Sequence, residues 1–362
     1  MKQHYTGLDG LRGLAAGAVM LMHEIGIFRA GLGPQLHAYI AVDLFFILSG
    51  FVLAYAYDGR LDRGMTWLEF MKIRAIRLYP LLAAATLFSA GVTVIKFVVR
   101  GTVDPGESLW LLPAGLSLFP ASLFMGAPHP FSSEFDLIPF GGPAWSLLFE
   151  FVGSALFATG MRRMGRRAVP IFLVGAIALC GFAIAADGTS ALGRAGYVGV
   201  PAGLFRVGIP FAIGIFLFRH RIPDMLPRSP VIFSVIAGGV LCVLPIGISP
   251  AFDLTCIFLF FPVLISFAAQ PVHSDRLRKT FTVLGALSYP LYLLHVPVSR
   301  MIGFLAKALF PKVGANMLII LSMIASVAVS WLMLKLFDEP IRRWLTRLGS
   351  SPRPLANLPH PG

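Results

Sequence analysis

The sequence predicts an all-helical, polytopic integral membrane protein, and three observations carry that prediction. The chain of 362 residues is 57% hydrophobic and only 13% charged. Its mean hydropathy is +0.79, and apolar runs of bilayer-spanning length recur from end to end. A helix needs roughly 20 apolar residues to cross the hydrocarbon core, so a length that would suit two or three soluble domains instead gives about ten spans.

In order, the expected spans are 11–28, 37–57, 78–99, 142–160, 168–186, 201–218, 231–248, 252–270, 281–305 and 314–337. The connections between them alternate in charge. One set collects Arg60, Arg63, Lys72, Arg74 and Arg77, then Arg162, Arg163, Arg166 and Arg167, then Arg219, Arg221 and Arg228. It continues with Arg276, Arg278 and Lys279 and ends on Arg342, Arg343, Arg347 and Arg353. The other set holds mainly Arg29, Arg100, Arg194 and Lys312. Cytoplasmic loops are rich in Lys and Arg, so both termini are expected in the cytoplasm. The net charge of +13 then belongs to topology, not to nucleic-acid binding.

Residues 107–125 are apolar but broken by Pro113, Gly115 and Pro120. We read them as re-entrant or interfacial, because a crossing there would move the Arg162–Arg167 cluster outside. The first span follows Asp9 and Arg12, contains His23 and Glu24, and lacks a small-residue cleavage site. It reads as a retained helix rather than a signal peptide. Cys180, Cys242 and Cys256 lie singly in apolar helices, without ligand spacing, and read as packing residues. No metal site is expected.

Ionisable side chains inside these spans point to function, because a charge at the centre of a membrane helix costs roughly 2.5–3.5 kcal/mol on insertion scales. Arg12 and His23 share the first span. Eleven residues at about 1.5 Å each separate them by about 16 Å and return them to nearly one helix face. Counting from span ends puts His23, Asp43, Glu150 and His295 in one layer of the outer half. Arg12, Arg74 and Arg77 fall at the cytoplasmic face, where arginine forks suit phosphate.

Each of these residues has a plainer reading. Arg74 and Arg77 suit ordinary topology anchors, and Asp43 and Glu150 suit structural hydrogen bonds between helices. His23 suits a satisfied interhelical histidine, and Trp145 an interface-belt residue. His295, between Pro290 and Pro297, suits the cap of a kinked helix. His4, His37, His129 and His360 fall in loops or ends and carry no signal.

Five strings in order resemble the acyltransferase-3 family of membrane O-acyltransferases, which modify polysaccharides, lipid-linked sugars and some metabolites. They are Leu8-Asp9-Gly10-Leu11-Arg12-Gly13 leading to His23, and Val42-Asp43-Leu44-Phe45-Phe46-Ile47-Leu48-Ser49-Gly50-Phe51. Arg74-x-x-Arg77 before Leu78-Tyr79-Pro80 follows, then Pro143-Ala144-Trp145-Ser146-Leu147 through Glu150, then Leu287-Ser288-Tyr289-Pro290-Leu291-Tyr292-Leu293-Leu294-His295. Ala41 stands where the family commonly has glycine, and Leu81-Leu82 where an aromatic pair is common.

The resemblance implies a ten-helix acyltransferase domain, over 1–345, in the bacterial cytoplasmic membrane; the Pro-rich end from Ser350 to Gly362 reads by composition as disordered, giving a cytoplasmic tail over 346–362. The resemblance also implies acyl-CoA, by default acetyl-CoA, as a donor substrate rather than a resident cofactor. A hydroxyl of a surface polysaccharide or lipid-linked sugar is the implied acceptor, with a separate extracytoplasmic transferase as an alternative recipient. His23 would be the general base, since its ordinary pKa is near 6.5, with Glu150 orienting or charging the imidazole. Asp43, Ser146, Tyr289 and His295 would support the site or stabilise an oxyanion. Arg12, Arg74 and Arg77 would bind the CoA. The competing class is a secondary transporter or exporter, which would place charges at mid-membrane without consuming acyl-CoA; such proteins usually show internal repeats, and none is evident.

Overall fold

The computed structural model describes residues 4–29, 36–100, 111–119, 138–140, 142–161, 174–175, 199–245 and 250–349. Every regular element among them is helical. They are α1 (Thr6–Arg29), a 3-10 turn (His37–Ile40), α2 (Ala41–Asp62), α3 (Trp67–Arg100), α4 (Leu112–Leu116) and α5 (Trp145–Thr159). Then come α6 (Gly199–Arg219), α7 (Ile222–Met225) and α8 (Val231–Val243). A π turn (Cys256–Phe260) joins α9 (Pro250–Thr255) to α10 (Phe261–Ala268). The chain ends on α11 (Asp275–Leu309), α12 (Ala315–Met333), a second π turn (Leu334–Asp338) and α13 (Glu339–Gly349).

Six helical stretches among the described residues are long and apolar enough to cross a membrane: Thr6–Arg29, His37–Asp62, Trp67–Lys96, Ala251–Ala268, Asp275–Leu309 and Ala315–Leu348. The protein is therefore a multi-pass, all-helical membrane protein. The expected span at 168–186 lies almost wholly outside the described residues. Of 107–125, residues 111–119 are described, and there Gly115 of α4 packs against Thr86 and Pro139. Helix α13 carries 346–349, and the rest of the expected tail lies outside the described residues.

Two parallel helix pairs organise the bundle. Helices α1 and α11 run side by side, with Gly10 against Phe281, Gly13 against Leu284, and Gly285 against Asp9. A Cβ at any of these glycines would collide with its neighbour. The close approach is what small residues permit between membrane helices, and higher up it brings His23 to His295. Helices α2 and α6 pair in the same way. Gly50 meets the backbone of Phe211 and Gly214 that of Ile47, while ion pairs Asp43–Arg206 and Asp58–Arg219 close the two ends.

Helix α3 begins about three turns before its apolar run. Thr66-Trp67-Leu68-Glu69 forms a reciprocal capping box, in which the Thr66 amide donates to Glu69 Oε2 at 2.8 Å and the Glu69 amide to Thr66 Oγ1 at 3.2 Å. A box of this kind satisfies two otherwise orphaned amides and fixes the helix start. Arg74 therefore sits two turns inside a helix, 5% exposed, rather than at its mouth. Helices α3 and α5 run antiparallel: Arg74 meets Glu150 and Ser154, while Thr86 and Ser89 share a small cavity with Gly142 and Ala144.

Candidate active site

Apart from Tyr289, the expected site residues fall in three polar clusters, and α1, α2 and α5 each contribute to more than one of them. At the arginine-rich end, the Arg74 guanidinium pairs with Glu150 Oε1 at 2.5 Å and donates from Nε to Ser154 Oγ at 3.2 Å. Ser49 Oγ also donates to Glu150 Oε1, at 3.3 Å. Arg12 lies within electrostatic reach of Glu150, Arg74 and Arg77 and is held by Asp9 at 3.5 Å. Asp9 in turn meets His4 at 3.0 Å. Arg77 is exposed. Exposed Arg77 and the partly exposed Arg12, held by Asp9, thus stand beside an Arg74 whose charge is matched in the interior by Glu150.

The second cluster is the histidine pair. His295 is fully buried in the interior of α11, between Pro290 and Pro297 of one continuous helix. Its Nδ1 lies 2.8 Å from Leu291 O, and a carbonyl only accepts, so Nδ1 carries the hydrogen and Nε2 of the neutral ring is left as an acceptor. That Nε2 is 3.1 Å from His23 Nδ1, which also lies 3.0 Å from Val19 O. Facing two acceptors, His23 Nδ1 must be the protonated nitrogen. The network thereby assigns the tautomer and leaves the lone pair on His23 Nε2, the basic atom, turned away from both partners. Close by, Tyr292 Oη and Ser146 Oγ are 2.9 Å apart, and both reach Pro143 O, at 3.2 and 3.1 Å. The Tyr292 ring lies 6.3 Å from that of His295 and 5.7 Å from Phe45.

A third cluster joins the start of α2 to α6 and α9. Arg206 forks onto Asp43, donating from Nε to Oδ1 at 3.0 Å and from Nη2 to Oδ2 at 2.8 Å, and Nη2 also donates to Tyr39 O at 3.2 Å. Trp145 lies under its guanidinium at 5.6 Å. His37 Nε2 is 2.7 Å from Asp253 Oδ1, and the Tyr39 hydroxyl donates to the same carboxylate at 2.9 Å. Asp43, Arg206, His37 and Asp253 are all 3% exposed or less.

The structure brings His23 and His295 together, and Arg12 and Arg77 into the field of the Arg74–Glu150 pair. It does not form the single layer expected from span-end counting. Glu150 contacts Arg74 rather than His23, because α5 starts inside the bundle at Trp145, beneath Arg206, and so carries Glu150 down to the arginine layer. Asp43 contacts Arg206. Tyr289 donates to Leu78 O at 2.5 Å on the α3 side, and Tyr292, three residues on, is the tyrosine near His295. Trp145 packs under a buried arginine instead of forming an interface belt, and His37, read from sequence as uninformative, is fully buried on Asp253. Arg206, Tyr39 and Asp253 were missed, although Arg206 and Asp253 each interrupt an apolar run, the signal that singled out His23. Among the described residues no cluster has the composition of a metal site.

Comparison with known proteins agrees with this architecture. A family model described as an acyltransferase domain matches residues 5–335. "Protein 2 in picA locus" of Rhizobium radiobacter is 37% identical over 188 residues, which cover 49% of this chain and 93% of that protein. No solved structure matches the chain. With the match running across nearly all of the helical bundle, the chain belongs to the acyltransferase-3 family and is a membrane acyltransferase.

Proposed function

We propose that the protein moves an acyl group, acetyl by default, from cytosolic acyl-CoA to a hydroxyl of a surface polysaccharide or lipid-linked sugar, in the bacterial cytoplasmic membrane with both termini inside. The observation that carries this reading is the His23–His295 pair, whose hydrogen bonds leave a basic lone pair on His23 Nε2 on the same helix as Arg12. In this reading His23 Nε2 takes the proton of the acceptor hydroxyl as its oxygen attacks the thioester carbonyl. The carbon–sulfur bond then breaks, and the thiolate recovers the proton from the imidazolium. His295 holds the tautomer, and Arg12 and Arg77 take the donor's phosphates. Glu150 keeps Arg74 in place at the donor end rather than charging His23. A two-step variant, in which His23 Nε2 carries the acyl group between donor and acceptor, uses the same atoms.

Purified protein in liposomes, given radiolabelled acetyl-CoA and cell-envelope glycan, should release free CoA and label the glycan. A transporter would do neither. Mass comparison of surface glycan from cells with and without the gene identifies the acceptor; an unchanged glycan removes the polysaccharide assignment.

A further inference from the structure

We propose that Glu24 is a positioning residue for the histidine pair, a neutral carboxyl that brackets α1, α11 and α12 one turn beyond the His23–His295 contact. The inference rests on the reading of His23 as the base. Glu24 follows His23 directly in α1 and is 0% exposed. Its Oε1 lies 2.5 Å from Ser299 Oγ on α11. Ser299 Oγ lies 2.6 Å from His295 O and receives the Ser322 hydroxyl of α12 at 2.9 Å. Both serines are fully buried. One carboxyl therefore touches a side chain that is itself bonded to the backbone of the residue whose ring orients His23.

Hydrogen counting supports the neutral form. Ser299 has one hydroxyl hydrogen and faces two acceptors, His295 O and Glu24 Oε1, while Ser322 already supplies a hydrogen of its own. If Glu24 keeps its proton, it donates to Ser299 Oγ, Ser299 donates to His295 O, and every hydroxyl is used. A neutral carboxyl also avoids placing a charge among apolar helices. Glu24 Oε2, buried without a partner, is less costly on a neutral group than on a carboxylate. Ser322 fixes α12 to the same point, so the bracket resists sliding or rotation of α1 on α11. Such motion would first lengthen the 3.1 Å contact between the two rings.

The test compares Glu24→Ala with Glu24→Gln, which keeps a donor and the size but cannot ionise. With acetyl-CoA as probe, Glu24→Ala should lower kcat by about 10- to 100-fold, the scale of loss from a roughly 1 Å misplacement, with an unchanged KM for acetyl-CoA. Glu24→Gln should stay close to wild type. A second readout needs no turnover. In protein whose Cys180, Cys242 and Cys256 are replaced by Ala, a His23→Cys/His295→Cys pair should be joined by a short bis-methanethiosulfonate reagent with Glu24 or Gln at 24, and much less with Ala. Equal yields and equal kcat in Glu24→Ala overturn the bracket. Loss in Glu24→Gln equal to that in Glu24→Ala also overturns it, since that result assigns Glu24 to proton exchange. If wild type transfers no acetyl, the functional reading fails, while the cross-linking yield still decides the bracket.

Discussion

The Asp43–Arg206 network and the His23–His295 pair are both buried polar clusters among apolar helices, yet they are satisfied to different degrees. Around Arg206, a bidentate carboxylate, a backbone carbonyl and an indole face account for the guanidinium. Next to it, His37 and Tyr39 share Asp253. Around His23, both recorded hydrogen bonds fall on one nitrogen. A closed network holds helices together, because every group in it would be orphaned by movement. A cluster with one basic atom turned away from its partners is arranged to receive something.

That difference is open to attack from both sides, and the largest effect is expected at the open cluster. His23→Ala should reduce acyl transfer about 10²–10⁴-fold, the usual contribution of a general base, with normal membrane insertion and thermal stability. Retained activity would show that the open nitrogen is incidental. At the closed cluster the signs reverse: Arg206→Met strands a buried Asp43 carboxylate and should cost about 3–5 kcal/mol of stability. The joint substitution Asp43→Leu/Arg206→Met should recover most of it, because a well-packed apolar pair replaces a buried ion pair at little net cost. A double variant as unstable as the single one would mean that Arg206 acts through Tyr39 and Trp145 instead.

The same contrast explains what could be read from the sequence. Apolar runs, basic loops and five ordered motifs reveal the helical membrane fold and the family, since composition and spacing survive without coordinates. Depth was less legible. Counting from span ends treats each helix as starting where its apolar run starts. The Thr66–Glu69 capping box launches α3 early and draws Arg74 inside, while the 3-10 turn at Gly142–Ala144 starts α5 late and lowers Glu150. Partnership was not legible. His23 and His295 both stood out as costly residues of one layer, without being read as partners, and Asp43 was read without Arg206. Asp253 was passed over at the very start of its apolar run, 252–270, and His37 at the edge of a loop.

Arg74 and Arg77 repeat the comparison within a single motif. Arg74 is buried on Glu150 and Ser154, and Arg77 is exposed three residues later. Arg77→Ala should raise the KM for acetyl-CoA about tenfold, the low end for a charge-assisted hydrogen bond, without loss of stability. Arg74→Ala should instead lower thermal stability, because it leaves Glu150 in the interior without its cation. If both substitutions change only KM, Glu150 is solvated and the motif is one phosphate site. If Arg77→Ala leaves KM unchanged, Arg77 is a topology anchor.

The smallest effect is expected at Tyr292, and it tests how closed the neighbourhood of the histidine pair is. Tyr292→Phe removes a hydroxyl shared with Ser146 and Pro143 O, but Ser146 Oγ remains 3.1 Å from that carbonyl, so no acceptor is orphaned. The ring keeps its edge-on contact with Phe45 and its place beside His295. The loss should be about 0.5–1.5 kcal/mol of stability, with kcat changed less than about fivefold, since no transition-state interaction is removed. Tyr289→Phe provides the control: it removes the 2.5 Å hydrogen bond that joins α11 to Leu78 O of α3, with no second hydroxyl beside it, and should cost more stability than Tyr292→Phe. A large kcat loss in Tyr292→Phe at normal stability would mean that its hydroxyl leaves Pro143 during turnover and donates to the oxyanion. The open cluster would then extend beyond His23 to the hydroxyl pair beside it.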